Sequence, residues 1–310
     1  MATPTPKQTS SDTRYPPRPP ATALEIVDPR WLLKALGAAI MIAAVLGYLS
    51  VCFLIYQGGW QFLLHPSKEI NRTPATLAIP FDPIRFDAAA TGSPRLTAWW
   101  IPSSDPNHKT ATVLFLHNGD GSLGSNVDQL ALLHRAGLNI FAIDYRGFGK
   151  SDSQHPSEIR MTEDTAAALD YLINTRHLPP ASIIPYGVGL GAALATSLIH
   201  SHSELRGIII DNPDPDLSLR PMEGKSARFI PVRLLLRDHF ELTSLLTSIV
   251  RPKLLITGGP ADVAPRRDRA NNVFFSTLPE PKTSVSLPTT HFDDLYVRAI
   301  TDFIDGTSLE

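Results

Sequence analysis

The sequence predicts an α/β protein: a mostly parallel, eight-stranded sheet flanked by helices and carrying a short cap insertion, preceded by one transmembrane helix. Three observations carry this. Ala35–Tyr56 runs for about 22 residues without a charge, enough for one helical crossing of a bilayer core. From residue 82 two early strands joined by a short turn give way to strand–helix alternation, the pattern of a parallel sheet covered on both faces. The runs V-L-F-L at 113–116 and I-I-I at 208–210 are continuous rather than alternating, as central parallel strands are.

Taken in order, residues 1–34 begin rich in Pro, Ser and Thr without apolar periodicity and read as a disordered tail. The apolar stretch 35–56 is too long for the core of a cleaved signal peptide, and too uniformly apolar for a buried helix of a soluble domain. It reads as a single-pass membrane anchor whose partner is the lipid bilayer. Arg14, Arg18, Arg30 and Lys34 precede it, while Lys68 and Arg72 lie further away on the other side, so the N-terminus is expected in the cytoplasm and the globular part outside. Residues 57–81, with Trp60 and Phe62, read as an interfacial linker into a domain at 82–306. Within that domain strands are expected at Ile84–Asp87, Leu96–Ile101, Val113–His117, Ile140–Asp144, Ile183–Tyr186, Gly207–Asp211, Lys253–Thr257 and Thr283–Leu287. Helices are expected at Asn126–Ala136, Glu163–Arg176, Leu190–His202, Arg266–Thr277 and Phe292–Asp305, with Thr162 as the cap of the second. The segment at about 212–240 breaks the alternation and reads as a small cap over the carboxyl ends of the strands.

Composition narrows the function. A net charge of −2 over 310 residues gives nucleic acid no electrostatic footing as a partner. The single cysteine, Cys52, lies in the apolar stretch, so no disulfide framework forms within one chain. No His, Asp or Glu cluster has ligand spacing, and no metal or cofactor is expected.

In a doubly wound sheet chemistry gathers at the carboxyl ends of the strands. The loops there are H-N-G-D-G-S at 117–122, D-Y-R-G-F-G-K-S at 144–151, G-V-G-L-G at 187–191, D-N-P-D at 211–214, G-G-P-A-D-V-A-P at 258–265 and T-T-H-F-D-D at 289–294. Read alone, the glycines at 187–191 invite two other interpretations. A dinucleotide fingerprint would want its third glycine at Ala192 and would open the first strand–helix unit, whereas this turn follows the fifth strand. A phosphate-cradling loop would need G-K-[ST] closing this glycine run, but Gly191 is followed by Ala192 and Ala193.

Together the loops resemble the α/β-hydrolase superfamily, and most closely its membrane-anchored, serine-aminopeptidase-like (bud-emergence-type) branch. The preamble F-L-L-H-P at 62–66, the strand end A-W-W-I-P at 98–102 and the stretch P-V-R-L-L-L-R-D at 231–238 add to the likeness, which covers about residues 58–306. The resemblance implies a serine on a G-x-S-x-G elbow, a histidine base, a carboxylate that orients the histidine, and backbone N–H donors for the oxyanion. Gly189 stands where the serine belongs. His291 falls at the family's histidine position, before the last helix. Anchoring on Gly258 and Pro265 puts Ala261 at the acid position, with Asp262 one residue off as a substitute, and Asp211 or Asp214 as acids after the sixth strand. Asn118 or Gly119 and Leu190 stand where the oxyanion donors belong. Two of three triad positions thus lack their chemistry. The expectation is a catalytically impaired family member that binds a small acyl, ester or peptide ligand, or acts as a scaffold. The alternative is an esterase, acyl hydrolase or peptidase that uses His291 and the oxyanion loop by a non-standard route.

Overall fold

The computed structural model describes residues 28–88, 95–105, 111–214, 232–258, 273–288 and 292–307. Its first element is the helix α1, Pro29–Gly58, whose start follows from the sequence D-P-R. The Asp28 carboxylate accepts the Arg30 N–H at 2.9 Å and Pro29 occupies the first helical position, where its missing N–H costs nothing. None of the 30 residues is buried, and the helix is longer at both ends than the expected span. It is long and apolar enough to cross a membrane.

The remaining chain forms its own compact unit from Val51 onward. In chain order its strands are β1 His65–Pro66, β2 Asp82–Asp87, β3 Arg95–Ile101, β4 Thr112–Leu116, β5 Asp120–Gly121, β6 Asn139–Asp144, β7 Ile183–Val188, β8 Ile208–Asp211, β9 Lys253–Gly258 and β10 Lys282–Leu287. Eight of them make one sheet in the order β10-β9-β8-β7-β4-β6-β3-β2, and β1 and β5 pair separately. β3 is antiparallel to both β2 and β6, and every other pair is parallel. The helices are α2 Val127–Arg135, α3 Glu158–Asp170, α4 Gly191–Ser201, α5 Val232–Leu235, α6 Thr243–Leu246 and α7 Phe292–Gly306.

The continuous apolar strands work as their sequence requires. In β4, Leu114 and Leu116 enter one core with Met161 of α3 and Leu194 of α4. Val113 and Phe115 enter the other, with Leu130 of α2 and Ile300 of α7. Successive side chains of a strand point to opposite faces, so a strand buried on both sides must be apolar throughout.

Two expectations need correction. α3 starts at Glu158 rather than Glu163: Ser157 is the cap, its Oγ accepting the Arg160 N–H at 3.4 Å. Asp164 is thereby freed from a first-turn role and turns inward to meet Arg146. The segment 57–81 is no loose linker, because Leu63 and Leu64 are buried in the core and β1 pairs in parallel with β5. Of the cap expected at 212–240, residues 215–231 lie outside the described residues. So does the helix expected at Arg266–Thr277, except for a helical stretch at 273–276.

Candidate functional site

A tight turn at the carboxyl edge joins β7 to α4. Gly189 sits in it at φ +55°, where a residue with a side chain is strained by about 1–3 kcal/mol. Its N–H donates to the Asp211 carbonyl at 2.9 Å, which ties the turn to the end of β8. A β-carbon placed on Gly189 would lie 2.7 Å from Asn118 Oδ1 and 2.9 Å from Asn118 Cγ. The space above the glycine is therefore filled.

Asn118 is held there from two sides. Its Oδ1 accepts the Leu190 N–H at 3.1 Å, and its Nδ2 donates to Asp120 Oδ2 at 3.1 Å. Asp120 Oδ1 in turn meets His65 Nδ1 at 2.7 Å. The expected oxyanion donors are accordingly arranged differently from the sequence reading. Leu190 is buried, and its N–H is spent on the Asn118 side chain. Gly119 packs beneath Leu63 and Leu64, and its carbonyl accepts the His65 N–H at 2.7 Å. Ala261, Asp262 and His291 lie outside the described residues.

Gly189 and Asn118 form part of the wall of a cleft of about 740 Å³, with Gln129, Val188, Asp211 and Phe292. Its most unusual group is Asp211. The carboxylate accepts the hydroxyl of Tyr186, Gln129 Nε2 at 2.6 Å and Asn212 Nδ2 at 2.9 Å, and the Tyr186 and Tyr296 hydroxyls are themselves paired. Burial pushes Asp211 up to about 6 despite these donors. The same burial, with the Asp211 charge beside them, holds both tyrosines well above the usual phenol value. Asp211 was legible as a carboxylate after the sixth strand. Gln129, Tyr186 and Tyr296 were not, since they reach it from helices and strands far apart in sequence.

A raised carboxyl favours the folded state most below its ordinary value and loses that contribution as pH climbs through its folded value. Asp211 should therefore stabilise the fold progressively less between 3.8 and about 6. We expect the melting-temperature difference between the wild type and Asp211→Asn to shift against the wild type across that window and then level off. A difference constant with pH would contradict the assignment.

Behind the elbow, the loop 117–121 rests on a second buried cluster. His117 donates its Nδ1–H to the Asn118 carbonyl at 2.5 Å, and the Tyr145 hydroxyl donates to the His117 carbonyl at 3.0 Å. His117 Nε2 stands 3.6 Å from Asp144 Oδ1, too long for a hydrogen bond. Burial lowers His117 to about 4 and raises Asp144 to about 6, so the pair is not a salt bridge at neutral pH. Asp144 instead accepts the Leu123 N–H at 2.9 Å, fixing the start of the turn that leads to α2. Among the described residues no group of three or more His, Cys, Asp or Glu is placed to hold a metal ion.

The sheet order, the elbow between the fifth strand and its helix, and the cleft at the strand ends now meet the comparisons with known proteins. The profile described as "Serine aminopeptidase, S33" matches residues 107–256, which include the loop at 117, the elbow and β8. The chain has the α/β-hydrolase fold and, over those residues, is similar to the serine-aminopeptidase-like family. An alpha-beta hydrolase from Vibrio vulnificus superposes with a TM-score of 0.61 at 18% identity, over 78% of this chain and 88% of that one, a likeness of fold. The uncharacterized protein Rv2307c of Mycobacterium tuberculosis is 29% identical over 194 residues, 63% of this chain and 66% of that protein's length. Protein bem46 of Schizosaccharomyces pombe is 26% identical over 148 residues, 47% of this chain and 48% of its own.

Proposed function

We propose that this chain of α/β-hydrolase fold is a membrane-tethered ligand-binding protein and not a serine hydrolase. One observation carries the reading: at the elbow, a side-chain amide occupies the volume that a nucleophile and its oxyanion would need. Gly189 offers no attacking atom, and Asn118 Oδ1 has already taken the Leu190 N–H. In a serine protease, losing the nucleophile costs about a million-fold in turnover. Ala261 at the acid position points the same way, and His291 is then a remnant of the triad. The cleft persists and offers amide and carboxyl groups from Asn118, Gln129, Asn212 and Asp211 beside apolar Val188 and Phe292. That mixture suits a small acyl, ester or peptide ligand, held by hydrogen bonds at one end and apolar contact along its length. The cluster of Arg14, Arg18, Arg30 and Lys34 before the span supports a cytoplasmic N-terminus and a domain on the outer side.

The full chain, incubated with a fluorophosphonate probe, is expected to stay unlabelled and to hydrolyse p-nitrophenyl acetate at the background rate. Covalent labelling of a serine in the cleft, or turnover abolished by His291→Ala, would establish the hydrolase reading instead.

A further inference from the structure

A second pocket, of about 390 Å³, lies at the end of α1 and is lined by Tyr56, Trp60, Ile159, Arg160 and Arg237 among others. Its chemistry is unlike that of the cleft. Tyr56 belongs to the last turn of the apolar helix and Trp60 to the 3-10 turn Gly59–Phe62 that follows. Tyrosine and tryptophan gather where a membrane helix passes into the headgroup layer, since their rings are apolar with one polar edge.

The charges facing this pocket are unevenly compensated. Arg146 is neutralised by Asp164 and Glu163. Asp238 accepts the Glu158 N–H at 2.8 Å. Arg160 and Arg237 form no ion pair among the described residues. Arg160 Nη1 donates to the His155 carbonyl at 3.0 Å and to His155 Nε2 at 2.9 Å, which makes that ring nitrogen an acceptor and leaves most of the guanidinium fork unused. Arg237 lies over the Tyr56 ring, 5.0 Å from its centroid. Two guanidinium groups with no direct carboxylate partner, beside aromatic rings, present donors to a phosphate, which the arginine fork matches in a bidentate manner.

Exposed apolar groups lie in the pocket wall and within three residues of it in sequence. Ile159, in the pocket wall, is 72% exposed; Phe62 is 51% exposed and Leu234 of α5 is 82% exposed. A site for a free anion has no use for such a rim, whereas acyl chains next to a headgroup do. We propose that this pocket binds the phosphate of an anionic phospholipid, with Arg160 and Arg237 on the phosphate and Tyr56, Trp60 and Ile159 against the upper acyl region. The proposal rests on α1 being a membrane span.

The test is native mass spectrometry of the full chain in detergent with palmitoyl-oleoyl phosphatidylglycerol and the matching phosphatidylcholine. The anionic phosphatidylglycerol is expected to be held about 10-fold more tightly, and an Arg160→Gln/Arg237→Gln variant to lose that preference. An unchanged melting temperature shows that the variant is folded. Equal retention of the two lipids, or a preference that survives the double substitution, would overturn the site. So would glycerol phosphate or an acidic peptide competing as well as the intact lipid. Alkaline carbonate extraction of membranes reads the anchor separately. Release of the wild type removes the span, whereas retention without lipid preference removes only the headgroup site.

Discussion

Replacing Gly189 with serine gives a folded protein that still fails to react with a fluorophosphonate. The backbone at φ +55° costs the new residue about 1–3 kcal/mol. Its β-carbon arrives 2.7 Å from Asn118 Oδ1, so the amide must shift and weaken its bond to the Leu190 N–H, a further loss of about 1 kcal/mol. Asn118 remains tethered through Asp120 to His65, close to the new hydroxyl and across the oxyanion site. Removing the plug changes the outcome. In a Gly189→Ser background with Ala261→Asp to supply the acid, adding Asn118→Gly should free the Leu190 N–H. An oxyanion donor is worth about 10²–10³-fold in turnover, and the triple variant should exceed the double by about 10²-fold on p-nitrophenyl acetate. If Gly189→Ser alone labels fully, Asn118 is no obstacle. A triple variant that folds yet stays inert would mean that the site has decayed beyond these three residues.

The sequence carried the framework of this site but not its closure. The continuous apolar runs at 113–116 and 208–210 predict strands buried on both faces, and both strands feed the two cores. The crowded glycines after Tyr186 predict a turn that needs a positive φ, and Gly189 has one. What a linear reading lacks is the direction of a side chain. The resemblance assigns Asn118 a role through its backbone N–H. Its carboxamide, however, reaches a residue 72 positions away, and nothing local to 117–122 encodes that. The start of α3 was misplaced for a related reason: Glu163 and Asp164 looked like first-turn acids, whereas both are engaged by Arg146 from the neighbouring loop. The segment 57–81 looked like a linker because the partner of its short strand lies 55 residues further on.

Arg146→Ala is expected to be the most damaging single substitution in the domain outside the apolar core. Its Nε donates to Asp164 Oδ1 at 2.5 Å, its Nη2 reaches Glu163 Oε2 at 2.6 Å and the Arg160 carbonyl at 2.7 Å, and its backbone N–H donates to Asp164 Oδ2 at 2.8 Å. One guanidinium thus pins the turn 144–151 to the middle of α3. Asp164 has no exposed side-chain surface, and burial already pushes it up to about 6 with the arginine beside it. Truncating the partner of a buried charge costs about 3–5 kcal/mol, because the remaining carboxylate is neither solvated nor paired. At about 2–4 °C per kcal/mol for a domain of this size, the melting temperature should fall by roughly 10 °C. Two further measurements separate a lost charge partner from lost packing. The deficit should shrink on acidification, since without Arg146 the Asp164 carboxyl rises further and is readily neutralised by a proton. Adding Asp164→Asn should restore part of the stability at neutral pH, because an amide can be buried here at lower cost than an unpaired carboxylate. Arg146→Lys should recover little, as a single ammonium cannot meet three acceptors in the plane that the guanidinium fork serves. A loss independent of pH and undiminished by Asp164→Asn would assign the role of Arg146 to its aliphatic stem.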